Sequence, residues 1–464
     1  MKSRSWAAFA VALSAMVAAC DVPRPTAPAA TTPAGPGFSA SRDAGDVGVD
    51  TLVRTVRMLA AARGITPLPR PPRVPLALAR LGRALAFDRI LSGNRDIACM
   101  TCHAVDYGTD DGKSVAVGAG GIGLGPTRYH PDGTFVPRNT PSLFNLYGMK
   151  HLFWDGRVEV DDQRHFHTPA GAQLTPAMQR VLQYGPVSAL GLFPVTVRVE
   201  MRGNSGNELA SLADDDYTGI WNLLMQRLGR IPEYRRMFEA AYPGTRFDQM
   251  NFAYASNAIG AFFVDQFSFD DSPWDRFLAG NNTALTHQQL EGAETFLSLK
   301  CSLCHNGPAL SDQQFHDVAV AQVGPGEGDG ASGHDDYGRF RVTGDPADMY
   351  RFRTTPLRNV ALTGPYGHDG AIVDLRSFIA HYSQSDQTLL SYDPSQLEPL
   401  LQNTLVHNES DVIARRDTLI LGVVLTDDVV NKLVDYMGAL TDPAALNLSR
   451  VAPLRVPSGL PVDR

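Results

Sequence analysis

Four of the five cysteines fall in two copies of one pattern, Cys99-Met100-Thr101-Cys102-His103 and Cys301-Ser302-Leu303-Cys304-His305. Two thiols three positions apart can each add to a vinyl group of one porphyrin, and the histidine that follows then reaches the iron from the proximal face. A structural zinc site would set its cysteine pairs about 15–20 residues apart, whereas these lie about 200 apart. A redox-active pair would sit in a thioredoxin-like βαβ setting, which neither flank offers. The spacing therefore predicts two covalently attached haem c groups, with His103 and His305 as axial ligands.

Each motif needs a helix to carry it. Leu76, Leu78, Leu81, Leu85 and Phe87 describe an amphipathic helix before the first. Before the second, Thr286-x-x-Gln289 is a capping box that opens a helix through Leu290, Ala293, Phe296 and Leu297. A third helix runs from Thr426 through Val429, Val430, Leu433, Val434, Met437 and Leu440, stopping at Thr441-Asp442-Pro443. Helix, motif, long loop and closing helix form the pattern of a cytochrome c domain, and it occurs twice. The predicted fold is mostly α, with cytochrome c-like domains at 47–283 and 284–445 and a tail at 446–464. Gly118-x-Gly120-x-x-Gly123 superficially suggests a dinucleotide turn, but Pro126 and a polar loop replace the helix that geometry needs. A flexible loop beside the first haem is the expectation there, and a long surface loop at 323–346.

The chain has 464 residues, a net charge of −8 and 44% hydrophobic residues, which suits two or three domains and excludes a disordered protein. Acidity argues against nucleic-acid binding. Lys2, Arg4 and the apolar run Trp6 to Val17 read as a secretory signal ending at Val17-Ala18-Ala19-Cys20, similar to a bacterial lipobox with Cys20 lipidated. Residues 20–46, rich in Pro, Ala, Thr and Gly, read as a disordered tether. The expected location is the periplasm, on a lipid anchor, with the inner membrane favoured by Asp21.

Further motifs surround the haem sites: Arg138-Asn139-Thr140-Pro141-Ser142-Leu143, Phe153-Trp154-Asp155-Gly156-Arg157, Glu200-Met201-Arg202-Gly203, and the run from Pro356-Leu357-Arg358-Asn359 to His368-Asp369-Gly370. In order and content they resemble the bacterial di-haem cytochrome c peroxidase family, and within it the MauG-like branch, over about residues 75–442. The resemblance implies that the His103 haem reacts with hydrogen peroxide and the His305 haem transfers electrons. It implies that Trp154 relays electrons between them and that Glu200 is the acid–base carboxylate over the open face of the first. A carboxylate suits that work because it can carry a proton from the near to the far peroxide oxygen. Gln163 resembles a distal glutamine, one residue closer to Trp154 than the family spacing. Asn139, with the carbonyls of Thr363 and Pro365, resembles the ligand set of a calcium ion, an oxygen-only set that suits a hard cation.

Tyr382, seven past Leu375, falls where peroxidases of the family place a methionine on the second iron and MauG-like proteins a tyrosine. An oxygen ligand there favours oxidised iron and a low potential. His381, Met349 and Met437 are the alternative ligands. His130 lies nine residues before Asn139, one out of register with a distal histidine of some relatives, and reads as a loop residue. His368 is expected to bond near a haem edge and His316 to be structural. The implied activity is peroxide reduction, with electrons from a small cytochrome c or copper protein, or from an oxidised side chain of a partner protein. The rival reading is a di-haem electron carrier without turnover.

Overall fold

The computed structural model of the chain describes residues 44–463; the expected signal sequence, Cys20 and most of the expected tether lie outside the described residues. The expected helices form where the apolar spacing puts them, at Leu76–Phe87, His287–Ser298 and Asp427–Ala439. The capping box is made in full: Gln289 N donates to Thr286 Oγ1 at 3.2 Å and Thr286 N to Gln289 Oε1 at 3.0 Å. Strands are short, two or three residues each. His151–Leu152, Val158–Val160 and Phe166–His167 make one antiparallel sheet, and Phe315–His316 pairs with Phe352–Arg353 in another.

The same helix crossing is built twice. Leu76–Phe87 buries Leu78, Leu81 and Leu85 against the apolar helix Phe252–Gln266. Burying each of those leucines contributes about 1.5–3 kcal/mol. The backbones meet at Gly82, where a Cβ would stand 1.8 Å from Ala258 O. In the second half His287–Ser298 crosses Asp427–Ala439, and a Cβ on Gly292 would stand 2.0 Å from Lys432 O.

The chain ends are exchanged between the halves. The helix Ala44–Ala62 sends Val53, Val56 and Ala60 into the core built by Trp274, Leu290, Phe296 and Leu433. Ala445, Leu448, Val451 and Val456 pack into the core of the first half. Arg83 Nε donates to Val451 O at 2.6 Å, Ser458 Oγ to Asp88 Oδ1 at 2.6 Å, and Asp463 binds both Arg89 and Thr101 Oγ1. Domains drawn in chain order therefore miss two segments. An apolar stripe shows that a helix buries a face but not which half receives it. Among the described residues no helix is long and apolar enough to cross a membrane.

Candidate active site

The two motifs adopt one local structure. Cys99–Cys102 is a single helical turn, and His103 caps it with its Nδ1 at 3.0 Å from Thr109 O. Cys301–Cys304 is another such turn, and His305 Nδ1 lies 3.0 Å from Leu310 O. An Nδ1–H that donates to a carbonyl leaves Nε2 with its lone pair free. Burial reinforces this, holding His103 down to about 4 and lowering His305 as well. Burial also pushes Cys99 up to about 12 and Cys301 up to about 11, so both thiols are neutral. A pair of thiols beside a neutral imidazole with a bare Nε2 fits thioether-linked haem in both places.

Each motif opens on its own cavity. The first, about 660 Å³, is lined by Cys99, Cys102, His103, Trp154, Arg157 and Glu200. The second, about 240 Å³, is lined by Cys301, Cys304, His305, His368, Tyr382 and Met437. Trp154 lines both, and its Nε1 donates to Asn139 O at 2.9 Å.

Glu200 sits on a single wide turn, Arg198–Arg202, closed by Arg202 N to Val197 O at 3.0 Å and Gly203 N to Arg198 O at 2.9 Å. Such i→i+5 turns often present functional side chains. Burial raises the Glu200 carboxyl and Glu327 adds to the rise; Arg157, with Nη2 3.6 Å from Glu200 Oε1, opposes it. Arg157 is itself held by Asp155 at 3.1 Å and lies over the Phe153 ring at 4.0 Å. The result is a carboxyl poised to exchange a proton.

The glycine-rich segment is a brace for that turn and not a flexible loop. A Cβ on Gly118 would come 1.8 Å from Val199 O, and Ala119 N donates to Glu200 O at 2.8 Å. Buried Arg128 stitches the segment through Val117 O, Gly123 O and Gly118 O. The stretch 323–346 is likewise more than a surface loop. It brings Glu327, Arg341 and Val342 from the second half to the first cavity. Buried Arg138 clamps it, binding Asp336 at 2.6 Å and Asp155 at 2.6 Å with Glu327 at 3.4 Å. Sequence reading missed Arg157, Arg138 and Glu327. FWDGR and RNTPSL flag the two arginines as motif members, but nothing local marks Glu327.

Two sequence candidates stand apart from the first cavity. Gln163 is exposed, in the turn between Val158–Val160 and Phe166–His167, and does not line the cavity. His130 is half-buried in a turn, with Nδ1 accepting from Asp132 N at 3.1 Å, and does not line it either.

Around the second cavity the candidates separate by what their atoms already bind. Both His381 nitrogens are occupied, Nδ1 by Thr388 Oγ1 at 2.6 Å and Nε2 by Val318 O at 2.7 Å. Met349 packs elsewhere, beside Tyr350 and Leu389. Met437 lines the cavity but belongs to the helix stripe in the core. Tyr382 also lines it, and no hydrogen bond joins its hydroxyl to another described residue; burial pushes the phenol well above its usual range. His368 stacks on Phe352 with ring centroids 3.7 Å apart. Cys304, Asp312 and His316 cluster closely enough to suggest a metal site. Thioether formation would consume the Cys304 sulfur, and His316 is bonded at both nitrogens, to Asp417 at 2.6 Å and Asp312 at 3.0 Å. Burial opposes its charge, while the carboxylates of Asp312 and Asp417 raise it. Asn139, Thr363 and Pro365 line the second cavity together with Asp110.

The comparisons with known proteins converge. The family model for di-haem cytochrome c peroxidase matches residues 77–283. The cytochrome c551 peroxidase of Pseudomonas aeruginosa is 34% identical over 302 residues, covering 65% of this chain and 70% of that protein. The methylamine utilization protein MauG of Methylophilus methylotrophus is 27% identical over 355 residues, 75% of this chain and 84% of that one. Among solved structures, a MauG-like protein associated with microbial copper homeostasis superposes with a TM-score of 0.60 at 26% identity, covering 85% of this chain and 98% of that one. The diheme peroxidase BthA of Burkholderia thailandensis shares the fold, with a TM-score of 0.56 at 20% identity over 84% of this chain and 91% of that one. With two haem-attachment motifs, a mostly helical fold and these relatives, the chain belongs to the di-haem cytochrome c peroxidase family, whose members are haem oxidoreductases.

Proposed function

We propose that this protein is a MauG-like di-haem peroxidase that reduces hydrogen peroxide in the first cavity with electrons passed from the second. The observation that carries this reading is the unequal lining of the two cavities. Glu200 faces the first, Tyr382 the second, and Trp154 both. When bound, haem iron supplies the redox chemistry and, at His103, the place where peroxide binds. Glu200 takes a proton from the near peroxide oxygen and returns it to the far one, so that the O–O bond breaks with water as leaving group. Arg157 holds the carboxylate in place and balances its charge when it is ionised. Trp154, fixed by Asn139 O, lies where an electron path between the cavities must run. The sum is H₂O₂ plus two electrons and two protons giving two waters.

Tyr382, with its uncommitted hydroxyl, would be the residue that binds the second haem iron in this reading. An oxygen donor holds that centre at low potential. The electron source in this reading is either a protein side chain oxidised at the surface or a small cytochrome c or copper protein. Asn139 Oδ1 and the carbonyls of Thr363 and Pro365 would hold a calcium ion; Asn139 Nδ2 donates to Lys113 O at 2.9 Å, which leaves its oxygen for a cation. Cys20 anchors the enzyme by lipid in the periplasm, facing away from the cytoplasm.

The test is a stoichiometric assay of the haem-loaded protein with a reduced cytochrome c. Two cytochromes oxidised per peroxide, lost in Glu200→Gln, is the expected result. A wild type with two haems that neither consumes peroxide nor changes spectrum on its addition would make it an electron carrier.

A further inference from the structure

The wall between the two cavities is made by residues that line both: Asn139, Pro141, Ser142, Leu146, Trp154 and Arg353. Arg353 is the one charged member. It comes from the short strand Phe352–Arg353 of the second half, and its backbone N donates to Trp154 O at 2.8 Å, so it is tied to the proposed electron path.

Arg353 is 5% exposed, and its guanidinium is poorly satisfied. Nε donates to Phe153 O at 3.2 Å, Nη1 is buried with no partner, and no carboxylate among the described residues pairs with it. Other buried arginines are better satisfied: Arg138 binds Asp155 and Asp336, Arg358 binds Asp275, and Arg128, which also lacks a carboxylate, spreads its guanidinium over Val117 O, Gly123 O and Gly118 O. An unpaired buried guanidinium is strongly unfavourable, so such a group persists where an anion completes it. Burial alone draws Arg353 down to about 10, which still leaves it a cation at neutral pH. The counter-charge must then come from something that occupies the cavities. Haem brings propionate carboxylates, and a planar guanidinium fork matches a carboxylate in shape.

We propose that Arg353 is the shared propionate-binding cation of the two haem sites, raising the reduction potentials of both centres together. The proposal rests on the reading that both cavities hold haem. A fixed positive charge between two centres stabilises the reduced form of each, so its removal lowers both potentials.

The experiment is a spectroelectrochemical titration of the haem-loaded wild type, Arg353→Gln and Arg353→Lys, each with its haem content measured first. The expected result is two haems per chain and both potentials shifted down in Arg353→Gln. Arg353→Lys, which keeps the charge and loses the fork, should lie between that variant and wild type. Unmoved potentials, or a shift at only one centre, in Arg353→Gln carrying two haems overturns the proposal. Should Arg353→Gln not accumulate with two haems, Arg353→Lys decides: a joint downward shift supports the role, and potentials equal to wild type overturn it. A wild type carrying fewer than two haems refutes instead the reading on which the proposal stands.

Discussion

In the first half, His103 hangs from Thr109 O beneath a roomy cavity whose other wall carries Glu200, Arg157 and, from across the domain boundary, Glu327. In the second, His305 hangs from Leu310 O in the same way, but the tighter cavity carries Tyr382 and Met437 and no glutamate. The proximal machinery is duplicated down to the helix crossing, with Gly82 and Gly292 making equivalent close approaches. The distal linings share nothing but the wall at Trp154 and Arg353. In the proposed function, repeated structure holds the cofactors and unrepeated structure assigns them different work.

The sharpest way to break this contrast is at Glu200. Glu200→Gln should lower the rate of the peroxide step by about 10²–10⁴-fold, the usual worth of a positioned acid–base group, while leaving the resting visible spectrum unchanged. Stopped-flow mixing with peroxide reads this directly. Tyr382→Phe should leave the same step at its wild-type rate.

The second test turns one half toward the chemistry of its relatives. Tyr382→Met should raise the potential of the second centre alone and increase turnover with reduced cytochrome c. If the wild type is already a fast, reductively activated peroxidase, the role given to Tyr382 is wrong.

The duplicated part should respond equally in both halves. Gly82→Ala and Gly292→Ala each push a methyl group into a facing carbonyl and should cost about 1–3 kcal/mol or more, seen as similar losses in thermal stability. A large loss in one and none in the other would mean that the crossings are not equivalent.

The smallest effect concerns protons. The Glu200 carboxyl is raised above its usual value of 4.5, so the fold prefers it neutral. The stability cost of ionising it is absent well below 4.5 and grows as pH rises through the folded value. Glu200→Gln should therefore melt slightly higher than wild type at pH 8 and at the same temperature at pH 4. The acid limb of the peroxide rate should lie above the ordinary carboxylate range.

Much of this was legible in the sequence because it is local. The CxxCH spacing, the Thr286–Gln289 cap and the leucine stripe of 76–87 each lie within a few turns of chain. Glu200 and Trp154 were found through motif likeness, and the structure brings both to the cavities. What depends on long-range packing was not legible. Residues 47–62 and 445–463 change halves, the 323–346 stretch reaches the first cavity, and Arg353 stands without a carboxylate. Gln163 shows the reverse error, a spacing close to the family's that leads to an exposed turn.

The central claim is one open iron site and one capped by oxygen. An electron paramagnetic resonance spectrum of the resting haem-loaded enzyme, taken before and after peroxide, tests it most directly. The account predicts a high-spin ferric signal that peroxide abolishes, beside a second ferric centre whose spectrum changes in Tyr382→Met and not in His381 or Met437 variants. Two low-spin centres, both indifferent to peroxide and to Tyr382→Met, would contradict it.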